Sequence, residues 1–259
     1  MNGGPWRPPL VVAHLSDLHF GRHAPAVVDP LVADVAAVAP DLVVVTGDCT
    51  MRARDAEFVQ ARTFLDRLPA PLLVVAGNHD VPLLPPSRLV APYDRYRARL
   101  EPELDPRLDL PGIRALGLQS MPRWRWKSGR VSRRQSATVA TFLGAAPAGA
   151  VRLLALHHPP FTRGPARIAG RAALLRAATA ARVDLVLAGH THVPASRRRD
   201  RPAGRGPVEV VAGTATSLRL RGAPRSWTVI RVDDRRIHVE HRVEVAGSWR
   251  TGPTTGYER

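Results

Sequence analysis

Leu72-Leu73-Val74-Val75-Ala76-Gly77-Asn78-His79-Asp80 is the stretch on which the reading of this chain turns. Five apolar residues between Pro71 and Gly77 have the length and composition of a buried strand. The strand ends in an amide, an imidazole and a carboxylate. Folding alone does not call for three such groups at a buried strand end, so other elements should deliver polar groups to the same place.

Four more apolar runs do so. Residues 10–15 lead into Ser16-Asp17-Leu18-His19, and residues 41–46 into Gly47-Asp48. Residues 151–156 lead into His157-His158-Pro159-Pro160, and residues 183–188 into Gly189-His190-Thr191-His192. Between them, 24–39, 53–68 and 168–181 read as helices; Val28, Leu31, Val32, Val35 and Val38 mark the first face. Strand–helix alternation predicts an α/β fold with parallel strands. In such sheets ligands gather beyond the carboxyl ends of the strands. In extended backbone, residues two apart point the same way, so Asp17 with His19, and His190 with His192, should converge.

The rest of the chain is less regular. Seven prolines between 82 and 112 suggest a surface excursion near the opening motif, with a short helix at 93–100. Residues 113–118 read as a strand. Ser132 and Gln135 have capping-box spacing for a helix over 132–143. Residues 208–212, 226–232 and 236–243 read as strands of antiparallel sheet joined by tight turns. A single domain is expected over residues 1–246, with residues 82–150 including the excursion. From residue 247 onward the Gly, Thr and Pro content suggests a frayed tail. The basic run at 197–201 reads as a solvated loop.

Composition sets limits. The chain has 259 residues and a formal charge of +16. Of its 38 basic residues, all but Lys127 are arginine. Arginine forks onto phosphate, and a basic surface attracts anions or nucleic acid; the abundance of Arg, Ala, Pro and Val throughout also fits a compositional bias. No apolar run approaches the length of a membrane span. Residues 1–9 lack a signal-peptide pattern and Cys49 has no partner for an intrachain disulfide, so the cytoplasm is the expected location.

The candidate ligands are Asp17, His19, Asp48, Asn78, His157, His190 and His192. Carboxylate, imidazole and amide oxygen together suit Mn, Fe or Zn better than Ca or a structural zinc. Seven donors exceed one tetrahedral site. Two ions sharing a carboxylate would account for them, and two metals about 3.5–4 Å apart clamp both oxygens of a phosphoryl displacement. The residues alone do not separate His157 from His158. His14 reads as a core histidine behind the site, His23 as a rim residue, and His238 and His241 as solvent-facing. Cys49 reads as a small buried filler. Trp124 and Trp126 could stack on a base or pack under a loop. Arg219 and Arg221 could reach a phosphate or stay solvated.

The order Asp17-Leu18-His19, Gly47-Asp48, Gly77-Asn78-His79-Asp80, His157, Gly189-His190-Thr191-His192 resembles the calcineurin-like metallophosphoesterases over about residues 10–232. Within them it looks most like the bacterial class III cyclic nucleotide phosphodiesterases. The resemblance implies a four-layer α-β-β-α sandwich of two mixed sheets flanked by helices, not a simple doubly wound sheet. The late antiparallel strands would then belong to the second sheet. It implies one metal on Asp17, His19 and His192, a second on Asn78, His157 and His190, and Asp48 bridging them. His157 is favoured over His158. A hydroxide between the metals would attack phosphorus, His79 would protonate the leaving oxygen, and Asp80 would orient His79. The implied function is metal-dependent hydrolysis of a small anionic phosphodiester such as a cyclic nucleotide. The alternatives are a nuclease or nucleotide-lipid pyrophosphate hydrolase on the same site, or a non-catalytic scaffold. Nucleic acid is the less favoured partner.

Overall fold

In the computed structural model, which describes residues 9–69, 71–161, 168–199 and 206–259, the apolar runs form strands covered on both faces. In chain order the elements are β1 (Leu10–Leu15), α1 (Val28–Ala37), β2 (Leu42–Val45), α2 (Asp55–Leu65), β3 (Leu72–Val74), α3 (Ser87–Val90) and α4 (Asp94–Arg99). There follow β4 (Arg107–Leu110), β5 (Ile113–Leu118), α5 (Arg133–Thr138), β6 (Val151–Leu156), α6 (Arg171–Ala180) and β7 (Leu185–Ala188). The last are β8 (Ala195–Arg198), β9 (Val208–Val211), β10 (Ser226–Val232), β11 (Arg236–Val245) and β12 (Ser248–Glu258).

Two six-stranded sheets result, ordered β12-β11-β10-β1-β2-β3 and β4-β5-β6-β7-β9-β8. In the first, β1, β2 and β3 are parallel, and β10, β11 and β12 continue antiparallel from β1. In the second, β5, β6, β7 and β9 are parallel, with antiparallel β4 and β8 at the edges. Three buried apolar clusters correspond to the three contacts between four layers. Alternate residues of the strands divide between the clusters, as the two-residue strand period requires. Ala13, Leu15, Val43 and Val45 face Leu31 and Val35 of α1 and Phe58 and Phe64 of α2. Val12, Val44 and Leu73 face Leu153, Leu187 and Val210 between the sheets. Leu116, Leu154 and Val186 face Val139, Leu174 and Ala178. The fold is therefore the α-β-β-α sandwich, and the doubly wound sheet suggested by the first half is not formed.

The late strands fall elsewhere than expected. β9 is parallel to β7 in the second sheet, whereas β10 to β12 join the first sheet. β1 has a free edge, and β10 can occupy it because both its faces are apolar. Val229 and Trp227 turn to the helix layer, and Ile230 and Val232 to the inter-sheet core. Residues 248–258 are not a frayed tail. They form β12, paired with β11 from Val245↔Ser248 to Arg236↔Glu258. Ala246 and Gly247 both have positive φ, 50° and 81°, the two-residue turn that matches strand twist, and Trp249 is buried beyond it. The excursion also carries more structure than expected. β4 pairs with β5, and the Tyr96 hydroxyl donates to the Val74 carbonyl at 3.1 Å. The capping box at Ser132 and Gln135 forms. Of the basic run, Arg197 and Arg198 lie in β8 and Arg199 pairs with Glu209 at 2.8 Å, while Asp200 and Arg201 lie outside the described residues.

Candidate metal centre

The inner faces of four strands turn polar near their site end. Val12 is followed by His14, Val44 by Thr46, Ile230 is preceded by Thr228, and Val239 is followed by His241, each two residues along. His14 Nε2 lies 3.0 Å from Thr46 Oγ1, and His241 Nδ1 lies 3.0 Å from Thr228 Oγ1. His14 is a buried histidine behind the site, as expected. His241 is not solvent-facing. It sits on the inner face in register with Thr228 and is 6% exposed. His23 is half-buried, with its ring 4.6 Å from that of Phe20.

Just beyond this row the strand ends converge. Asp17, His19, Asp48, His190 and His192 all have positive φ, at 53°, 52°, 53°, 70° and 62°. Their convergence is therefore not the parallel pointing of extended residues two apart. Left-handed turns aim each side chain inward, at about 1 kcal/mol or more for a non-glycine residue. Gly77 permits the close approach of two of these ends. A Cβ there would lie 2.2 Å from Asp48 Oδ1.

One group comprises Asp17, His19, Asp48 and His192. His192 Nε2 is 3.0 Å from Asp17 Oδ1, and His19 Nε2 is 3.3 Å from His192 Nε2. His19 Nε2 is also 3.7 Å from both Asp17 Oδ1 and Asp48 Oδ2. The second group comprises Asn78, His157 and His190. Asn78 Oδ1 is 3.1 Å from His157 Nε2 and from His190 Nδ1, which are themselves 3.2 Å apart. His157 Nε2 is 3.4 Å from Asp48 Oδ1. Asp48 thus shows a different oxygen to each group.

The partners behind these residues fix which atoms face inward. His157 Nδ1 donates to the Thr46 carbonyl at 2.7 Å, and His192 Nδ1 to the Arg219 carbonyl at 2.7 Å. Each ring is left with a lone pair on Nε2 turned to the centre, the arrangement a metal ligand needs. Asp17 Oδ2 accepts from Ser16 Oγ at 2.7 Å and the His190 N–H at 2.9 Å, while Oδ1 is buried without a hydrogen bond. A buried carboxylate oxygen without a donor is costly unless a cation satisfies it. His158 is differently placed. Nδ1 meets Ser120 Oγ at 2.9 Å and Nε2 meets the Lys127 carbonyl at 3.1 Å, so both nitrogens have protein partners.

Electrostatics agree with a cation-binding centre. Burial raises the Asp17 and Asp48 carboxyls, but the surrounding histidines outweigh it and hold both well below the usual range. Burial pulls His157 down, yet the Asp48 charge lifts it to about 9. Burial and the His157 charge push His190 to about 4. The carboxylate charge that raises His157 is the same charge that would favour a cation there.

His79 Nδ1 donates to the Met51 carbonyl at 2.7 Å, and Arg219 Nη1 lies 3.0 Å from His79 Nε2. Both ring nitrogens are occupied, and Asp80 does not orient the ring. The Asp80 carboxylate is buried on the other side of its loop. It accepts from the N–H groups of Thr50 (2.8 Å), Gly77 (2.9 Å) and Cys49 (3.2 Å), and from Thr50 Oγ1 (3.0 Å). It therefore ties the loop after β2 to the loop after β3. Burial, reinforced by the Asp48 charge, raises its carboxyl. Ser16, Thr46 and Met51 act largely through contacts with the backbone or neighbouring side chains and carry no sequence pattern that marks them. Arg221 is exposed, with Nη1 3.4 Å from the His190 carbonyl. Trp124 and Trp126 are 56% and 50% exposed, and the Arg88 guanidinium lies 4.7 Å from the Trp126 ring.

Among the described residues, Asp17, His19, Asp48 and His192 form one group that could hold an ion, and His157, His158 and His190 another. A family model of calcineurin-like phosphoesterases matches residues 10–194. No curated protein sequence matches the chain. Among solved structures the chain is similar to purple acid phosphatase PPD1 from yellow lupin (Lupinus luteus) seeds, with TM-score 0.74 at 12% identity. That match covers 98% of this chain and 54% of the lupin chain, so this chain spans about half the length of that relative. It is similar to PhoD, with TM-score 0.71 at 13% identity over 98% of this chain and 70% of that one. It is also similar to GAP50, described as the anchor in the inner membrane complex of Plasmodium, with TM-score 0.66 at 12% identity over 97% and 89%. At such identities these likenesses establish the fold.

Proposed function

The chain belongs to the calcineurin-like phosphoesterases, and we propose that it hydrolyses a small anionic phosphodiester, a cyclic nucleotide being the substrate its motifs most resemble. The observation that carries this reading is Asp48, whose Oδ2 faces His19 and whose Oδ1 faces His157. One ion would be held by Asp17, His19 and His192 and another by Asn78, His157 and His190, with Asp48 shared. The donor set and the orphaned Asp17 Oδ1 fit such ions, which are Mn, Fe or Zn by ligand type. When bound they would supply Lewis acidity at the phosphoryl oxygens and acidify a water to a nucleophile at neutral pH.

The chain's own residues supply the rest. The Met51 carbonyl fixes a proton on His79 Nδ1 and leaves Nε2 directed at Arg219. A phosphoryl oxygen entering beside them accepts from the Arg219 guanidinium, a charge-assisted bond. His79 Nε2, then released from Arg219, takes up a proton from solvent and as the imidazolium donates it to the leaving oxygen. Asp80 keeps the two loops in register and acts as a positioning residue. The backbone N–H of His79, 2.8 Å from Asp48 Oδ1, holds the shared carboxylate between the two groups.

A panel of substrates tests the reading. Mn-loaded protein should hydrolyse a generic aryl phosphodiester and a cyclic nucleotide faster than an aryl monoester, single-stranded DNA or a UDP-linked lipid. Efficient monoester hydrolysis with no diester hydrolysis would refute the diester assignment, and preference for DNA would favour a nuclease.

A further inference from the structure

Eleven large apolar side chains stand exposed among the described residues, and nine of them lie on four segments that lead from the candidate centre or contact its histidines, Leu89 and Val90 within α3. Leu83 and Leu84 lie a few residues after His79 and Asp80, with Leu89 and Val90 beyond them in α3, and Trp124 and Trp126 precede Lys127, whose carbonyl meets His158. Val193 follows His192, while Leu218 and Leu220 flank Arg219, which touches His79.

The first of these patches is built to stay outward. Arg88 is 1% exposed, while its neighbours Leu84 and Val90 are 68% and 79% exposed. That inverts the usual order of burial. The Arg88 guanidinium donates to the carbonyls of Pro82 (2.7 Å), Arg123 (2.8 Å) and Arg125, and lies 4.7 Å from the Trp126 ring. Arg123 Nη1 donates back to the Leu89 carbonyl at 2.7 Å. An internal arginine thus staples two loops together and leaves their aliphatic side chains facing out. Exposed cations alternate with the apolar residues: Arg123 and Lys127 on one patch, Arg221 on the other.

We propose that this rim docks on an anionic lipid surface, with the leucines, valines and tryptophans entering the acyl boundary and the basic side chains meeting headgroup phosphates. Apolar side chains interleaved with cations are the composition that interfacial binding requires. The net charge of +16 supplies long-range attraction. Seven of the nine apolar residues are aliphatic and offer no face for base stacking, which argues against nucleic acid as the occupant. The docking does not depend on the proposed chemistry.

Co-sedimentation with vesicles tests it. The metal-loaded protein should partition onto vesicles of phosphatidylcholine and phosphatidylglycerol in equal parts, and far less onto phosphatidylcholine alone. The triple variant Leu84→Ser, Val90→Ser and Leu218→Ser should lose about tenfold or more of that partition, since each change removes insertable aliphatic surface. All three side chains are exposed, so its thermal unfolding and its hydrolysis of a soluble diester should match the parent. Tryptophan emission should shift to the blue on the mixed vesicles. Failure of the parent to bind would overturn the proposal. So would equal binding by the triple variant, which would show charge alone at work. Loss of single-stranded DNA binding in the variant, with no vesicle binding by the parent, would assign the rim to nucleic acid instead.

Discussion

Asp48 is the side chain that the two groups of the centre share. Its two oxygens serve two histidine groups, and the His79 N–H holds one of them. Asp48→Ala should therefore weaken both metals together, whereas Asn78→Ala should weaken one, a distinction metal titration reads directly. His79→Ala should leave the metals bound and slow diester turnover by about 10²–10⁴-fold, the range for loss of a positioned proton donor; unchanged turnover on a diester with a poor leaving group would remove His79 from the chemistry. His14 offers a test of the support behind the centre. Burial pushes its imidazole down to about 3 from 6.5, so the unfolded chain binds this proton first as pH falls. Stability from this group is present above about pH 6.5 and is lost toward pH 3, at about 1.4 kcal/mol per pH unit through the middle of that window. In the metal-free protein, urea unfolding of His14→Gln should show a shallower loss between pH 6 and pH 4 than the parent; parallel curves would mean His14 is charged in the fold. At this scale, side chains that face the centre were legible because each follows an apolar run. The contacts that aim them were not. The Met51 carbonyl that orients His79 and the Thr46 carbonyl that orients His157 belong to backbone, and no residue type announces them. For the same reason Asp80, adjacent to His79 in sequence, reads as its partner, whereas the loop directs its carboxylate to the N–H groups of Cys49, Thr50 and Gly77.

The elements that were readable are those with a strong period. Strands β2, β3 and β7 are continuous apolar runs, and β1 and β6 are apolar but for His14 and Arg152, because helices or a second sheet cover each face. Which sheet a strand joins is a different matter. β10 carries the same alternation whether it lies beside β1 or beside β9, and only the free edge of β1 decides. β12 was hidden because its exposed face is Thr, Gly and Arg, which reads as loop, while only Trp249, buried, and Tyr257, partly buried against the inter-sheet core, mark its inner contacts. Trp249→Ala should lower unfolding free energy by about 3 kcal/mol, typical of emptying a buried aromatic site. A loss below about 0.5 kcal/mol would put β12 outside the cooperative fold. Gly77→Ala tests how closely two strand ends must approach. The added Cβ would meet Asp48 Oδ1, so metal affinity should fall while the far-UV spectrum stays unchanged.

At the scale of the whole molecule, two sheets and their helices place five strand ends against one another, and buried carboxylates are kept charged by a ring of imidazoles. No helix among the described residues is long and apolar enough to cross a membrane. The positive charge spread over the surface makes encounter with an anionic substrate sensitive to ionic strength. The arginines come with an abundance of Ala, Pro and Val throughout the chain, which also fits a compositional bias. The central claim is narrower, that the two side-chain groups around Asp48 hold two ions. Titrating chelator-treated protein with Mn²⁺, with bound metal counted by electron paramagnetic resonance, tests it most directly. Two ions per chain with the spectrum of a coupled pair, lost in Asp48→Ala, is the expected result. A single uncoupled ion, or a full pair that survives Asp48→Ala, would contradict it.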